Sequence, residues 1–206
     1  MRSVVRSIRT RMTARTWRLM LLLSAVIALA GAGRNRSPYG PHDVASYATP
    51  ATIDFLRPGL VITVNTASVA ADGTITATYT LADPAGLPLD ATGVYTPGPI
   101  SISLVAAAIP NNGDQYTAWT TRVQTGVAGS FTNAGADTGG VTTPLGNGQY
   151  TYVFAAKAPV GFDPSATTSI GVYGRRAMTT FGIPNNNAST VFTFLPNGGK
   201  VKVVPA

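Results

Sequence analysis

The 206-residue chain contains no cysteine, no glutamate and a single histidine, His42. Without cysteine an exported domain has no disulfides, no thiolate nucleophile and no thioether-linked lipid at its N-terminus, so packing alone must hold it together. The length allows that: one domain of this size buries a proper core, and two do not fit comfortably once a leader is removed. Without glutamate, and with 22 Gly and 15 Pro, the chain is poor helix material. Paired-carboxylate and thiolate mechanisms have little to work with. His42 precedes Asp43 in an irregular stretch, which does not supply the buried base beside a nucleophile that a hydrolase triad needs. The chain reads as not an enzyme.

Charge is also scarce, at 11% of residues. The formal net charge of +7 suggests nucleic acid, yet eight of the fifteen basic residues lie before Ser37. From Ser37 onward seven basic residues face eight aspartates, and Arg57, Arg122, Lys157, Arg175, Arg176, Lys200 and Lys202 are scattered. A phosphate-binding patch needs local density, so no nucleic acid partner is expected.

Residues 1–32 read as a signal peptide. A basic stretch from Met1 to Arg18 leads into the apolar run Leu19 to Ala30, then Gly31, Ala32 and Gly33. The apolar run is too short to span a bilayer, and its compactness argues against an organelle transit peptide. Cleavage after Ala30 or after Ala32 fits equally, and no membrane span is expected to remain. With no paired arginine before the apolar run, the unfolded-chain secretion route is favoured. The expected location is exported: periplasmic, outer surface or extracellular.

Residues 33–58 hold four prolines and no period. They read as an extended linker arm touching the domain through Ile53, Phe55 and Leu56. Residues 59–206 then read as an antiparallel, immunoglobulin-like β-sandwich of about seven strands. In Thr74 to Leu81, Ile75, Ala77, Tyr79 and Leu81 face one way and four threonines the other. Leu60, Ile62 and Val64 alternate similarly, with Asp72-Gly73 as the turn between the two. Further strands are expected at Pro99 to Ile109, Gln115 to Val123, Gln149 to Ala156, Thr167 to Tyr173 and Thr190 to Leu195, separated by Gly-, Pro- and Asn-rich turns. Asn147-Gly148 leading into Tyr150 has the form of a tyrosine corner, in which the hydroxyl returns to the preceding turn; an ordinary aromatic strand fits as well.

Candidate binding residues are few. Trp119 with Tyr116, or Tyr173 near Arg175 and Arg176, would form an aromatic platform for a sugar ring or a partner. Core packing is the ordinary fate of a lone strand Trp, and the Arg175-Arg176 pair reads as a solvated turn. Asp54, Asp72, Asp83, Asp90, Asp114, Asp137 and Asp163 each fall in or beside an expected turn, where Asp serves the backbone. No dense acidic loop of the kind that gathers Ca²⁺ is present.

Several phrases in order resemble one known family: Phe55 to Leu60 (FLRPGL), Ser68 to Thr80 (SVAADGTITATYT), Leu81 to Asp90 (LADPAGLPLD), Ala134 to Gly140 (AGADTGG), Gly148 to Ala158 (GQYTYVFAAKA) and Phe192 to Gly198 (FTFLPNG). Together they resemble the N-terminal β domain of multihaem (decahaem) c-type cytochromes of the OmcA/MtrC type. The likeness runs from about Phe55 to about Gly198. In that family the β domain is followed by a haem-bearing region with Cys-x-x-Cys-His sites. No position here matches those sites, so the resemblance implies no haem in this chain. It implies a scaffold or docking role in extracellular electron transfer, with a haem-bearing region or redox partner at the cell surface. The alternative is an adhesion or carbohydrate-binding sandwich.

Overall fold

The computed structural model describes Pro41, His42 and residues 44–201; the expected signal peptide lies outside the described residues. A short 3-10 helix at Val44–Tyr47 is followed by helix α1, Pro50–Leu56, inside the segment expected to be extended. Its ends explain it. Thr49 caps the N-terminus by accepting from the Thr52 amide, and Pro50 sits in the first turn, where its missing N–H costs nothing. Arg57 closes the C-terminus in the left-handed region, its amide donating to Ile53. Of the three expected contact residues, Leu56 is buried, Ile53 half-buried, and Phe55 points to solvent at 68% exposure.

Among the described residues ten strands follow: β1 (Val61–Val69), β2 (Thr74–Ala82), β3 (Ile100–Ile109), β4 (Thr117–Ala118), β5 (Thr121–Gly126), β6 (Gly129–Ala134), β7 (Val141–Gly146), β8 (Gln149–Lys157), β9 (Thr167–Arg176) and β10 (Asn186–Phe194). Two four-stranded antiparallel sheets, ordered β1-β2-β8-β7 and β10-β9-β3-β4, form the sandwich. Taken as A-B-E-D and G-F-C-C′, these orders are the immunoglobulin arrangement. The expected all-β sandwich is therefore present, with eight strands in its two sheets. Strands β5 and β6 form a separate ribbon between C′ and D.

The residues between the sheets are those that the two-residue period selects. Ile62 and Val64 of β1, Ile75, Ala77, Tyr79 and Leu81 of β2, and Tyr150, Tyr152 and Phe154 of β8 meet Leu104, Ala106, Ile170 and Val172 of the facing sheet. Asn147 and Gly148, both with positive φ, make the two-residue turn from β7 to β8. The Tyr150 hydroxyl accepts from the Ala91 amide at 2.8 Å, not from the turn just before it. Tyr150 thus ties β8 to the Asp90–Thr96 loop, while its ring stacks on Tyr79. It lies on the E-type strand rather than at the corner leading into F, so the tyrosine-corner alternative is replaced by a cross-connection.

The stretch expected as one strand, Gln115 to Val123, is broken where the chain leaves the sheet. Thr120, buried, accepts from the Ala106 amide through its hydroxyl and closes β4 against β3. The ribbon then departs, with every β5 and β6 residue exposed, and returns at Gly135, whose amide donates to Thr120. Asp137 reattaches the chain to both sheets. Its amide donates to Leu104 of β3, and its carboxylate accepts from the Tyr152 hydroxyl at 2.8 Å and from the Ala155 and Ala156 amides of β8 at 2.9 Å each. Gly140 lies against Asp137 and the Tyr152 ring, where a Cβ would collide with both.

Arg176 closes the opposite part of the molecule. This half of the expected solvated pair is 0% exposed at the end of β9. Its guanidinium donates to the carbonyls of Leu56 (2.8 Å), Arg57 (2.6 Å), Gly59 (3.0 Å) and Pro97 (2.5 and 2.9 Å). A planar fork with five N–H donors suits such a ring of acceptors. Consecutive strand residues point to opposite faces, which is why Arg175 is exposed and Arg176 is not.

Arg176→Met is expected to lower the unfolding free energy by at least about 3 kcal/mol, because several buried carbonyls lose a charged donor at once. Arg176→Lys should recover little of it, having no planar fork; urea denaturation of the three proteins measures both. Burial pushes the Tyr79 phenol up to about 12, and burial together with Asp137 does the same for Tyr152. Both remain protonated in the fold at a pH where the unfolded chain ionises them. Their contribution to stability is therefore complete below about pH 10 and is lost as pH rises toward about 12. Denaturation midpoints across that range should show the decline, and Tyr152→Phe should show a shallower one.

Candidate functional site

Strand parity sorts the candidate residues. Ala118 pairs with Ala107, and Thr117 with Ala108, which is buried in the interior. Tyr116 and Trp119 flank this pair three positions apart, so they fall on opposite faces of the sheet. Tyr116 stands on the outer face, 47% exposed, its hydroxyl 2.9 Å from that of Ser169. Trp119 turns inward, half-buried against the core, its ring edge-to-face with that of Phe162 at 5.9 Å between centroids. The two cannot share a ligand. Trp119 instead lines a cavity of about 370 Å³ at the rim of the sandwich, with Pro110, Pro159 and Phe162.

Tyr173 and Arg175, two positions apart on β9, do share the outer face. Tyr173 is paired with Ser103 on one side and Ser189 on the other, and Arg175 with Ser101 and Asn187. These neighbours are short, so the aromatic ring rises above them, 48% exposed. The same rows enclose an open cleft of about 460 Å³. The next row toward Tyr116 is floored by Gly171, over which Val105 leans. Outward-facing positions on β3, β9 and β10 include no carboxylate, and Arg175 is their one charge.

The aspartates mostly serve the backbone. Asp83, buried, accepts from the Ala85 and Leu87 amides and pairs with Arg57 at 3.5 Å. Burial raises the Asp90 pKa, but hydrogen bonds from Thr92, Tyr95 and Val94 outweigh it and hold the carboxyl below its ordinary value. Lys157, 2.9 Å away, and then Thr74 hold Asp72 well below the usual carboxylate range. Asp163 accepts from the Ser165 amide and hydroxyl and from Asn111. Asp54 departs from the expectation of a turn and lies in α1. Among the described residues no three His or Asp side chains gather as a metal site would require.

No family model and no curated protein matches the chain. The outer membrane decaheme cytochrome OmcA matches in structure, with a TM-score of 0.52 at 18% identity over 72% of this chain. The chain has the fold of part of OmcA. The shared region is 24% of OmcA's length. MtrC from Shewanella baltica OS185 aligns over 71% of this chain and 24% of its own, at 18% identity and a TM-score of 0.45. The resemblance carried by the turn and strand phrases thus holds for the OmcA fold. It does not extend to haem attachment, since the thioether and axial-ligand donor set is missing: the sequence holds no Cys and one His.

Trp119 and Tyr116, expected as one platform, lie on opposite faces, and the short residues that expose Tyr173 come from neighbouring strands that only the register places beside it. Trp119→Ala should destabilise the fold by about 2 kcal/mol or more through loss of its ring contacts. Thermal melts check this, and the exposure of Tyr173 to a collisional fluorescence quencher should be unchanged in the same variant.

Proposed function

We propose that the chain is a non-catalytic, exported β-sandwich module with a scaffold or docking role in extracellular electron transfer, carrying no haem itself. The sandwich shared with the outer membrane decaheme cytochrome OmcA carries this reading. The absence of cysteine supports a supporting rather than a redox role. Export is supported by the basic, apolar, small-residue order of the first 33 residues. Among the described residues no helix is long and apolar enough to cross a membrane. The partner in this reading is a haem-bearing region or a redox protein at the cell surface, held by a rigid domain.

An adhesion or carbohydrate-binding role is the second reading. The Trp119 platform that would have supported it is turned inward, and the cleft beside Tyr173, open among the described residues, takes its place.

Two measurements test the first reading. DNA beyond codon 206 should encode repeated Cys-x-x-Cys-His motifs, in frame or shifted, within the next few hundred bases or so; their absence there and in neighbouring genes counts against it. Intact-mass analysis of protein recovered from outside the cytoplasm should show a mature start after Ala30 or Ala32 and no haem mass. A full-length, cytoplasmic product would overturn the export component.

A further inference from the structure

We infer that the cleft on the outer face of the β10-β9-β3-β4 sheet binds an acidic sugar of an anionic polysaccharide, with Tyr173 as the stacking surface and Arg175 as the carboxylate clamp. This rests on the carbohydrate-binding reading, whose ligand class it names, and does not depend on the scaffold role.

The cleft is concave and within the size range of small-ligand sites, at about 460 Å³. Its chemistry is divided along the sheet rows. Tyr173 stands between Ser103 and Ser189, so the serines leave the ring open on both flanks. An open ring of this kind receives the apolar face of a pyranose. One row on, Arg175 stands between Ser101 and Asn187. Successive same-face residues of a strand lie about 7 Å apart, and the long Arg175 side chain covers the distance to a carboxylate borne on a sugar ring stacked on Tyr173. The guanidinium presents two parallel donors that match a carboxylate, and Ser and Asn side chains alongside suit ring hydroxyls.

Three of the other basic groups are committed. Lys157 pairs with Asp72, Arg57 with Asp83, and Arg176 is buried. The Arg175 side chain makes no hydrogen bond or ion pair among the described residues, and no carboxylate shares its face. An exposed cation with no acidic neighbour beside an exposed ring selects for ligand charge as well as shape.

Titration of the purified exported chain with oligogalacturonate, and with the same oligomer fully methyl-esterified, tests the inference by calorimetry and amide NMR. The acidic form should bind, with shifts concentrated at Ser101, Ser103, Asn187 and Ser189, and the ester should bind at least about tenfold more weakly. Arg175→Gln should remove that difference; Tyr173→Ala should abolish binding of both forms while the melting temperature stays within a few degrees. Arg122→Gln, on the β5–β6 ribbon, should leave affinity unchanged, which separates a defined site from general charge attraction. Equal affinity for acid and ester, unaltered binding in Arg175→Gln, or no binding of the acid by folded protein would each overturn it.

Discussion

One guanidinium decides how the chain closes. Arg176, at the end of β9, reaches carbonyls that precede it by some 80 to 120 positions, at Pro97 and at Leu56 to Gly59. A helix of seven residues has no stability of its own in water. Leu56 gives α1 an apolar foothold, and Arg176 gives the segment after it a polar one. The same contact holds Arg57 in its left-handed conformation, which a non-glycine residue adopts only where its surroundings demand it. Arg57 in turn bonds Pro88 and Asp83, so the arm, the Asp83 turn and the end of β9 form one linked unit.

Asp137 plays the matching part between the sheets. Asp137 is half-buried, and its carboxylate takes three donors from β8 while its own amide holds β3. Its phrase, Ala134 to Gly140, is among those that carry the sequence resemblance. The physical content of that phrase is a crossing between sheets: the carboxylate makes the bonds, and Gly140 leaves room for the Tyr152 ring. A resemblance spread over weak motifs is informative when each motif fixes a connection that the fold cannot make otherwise.

Alternation made the two sheets legible. The Thr74 to Leu81 pattern became β2 with its apolar half fully buried, and Asn147-Gly148 became the turn it resembles. Strands β5 and β6 left no such pattern because neither face is covered, so nothing selects apolar residues at every second position. Strand β7 was hidden by Pro144, which an edge strand accepts and a central one does not. Helix α1 was hidden by its length, although Thr49-Pro50 and Arg57-Pro58 mark its two ends. The site was partly legible: Tyr173 and Arg175 share parity in any strand, whereas the low neighbours that expose them come from β3 and β10, about 70 positions earlier and 15 later. Only the register brings those together.

The β5–β6 ribbon leaves the body at Thr120 and returns at Gly135, and these two residues are bonded to each other. The excursion therefore begins and ends at one point, and its length has no bearing on the path of the chain through the core. Among descendants of this sequence, residues 121–134 form a module that can be lengthened, shortened or exchanged as a unit, while Thr120 and Asp137 on either side cannot drift. Variation in what the domain meets outside itself is in this way separated from the conditions for its folding.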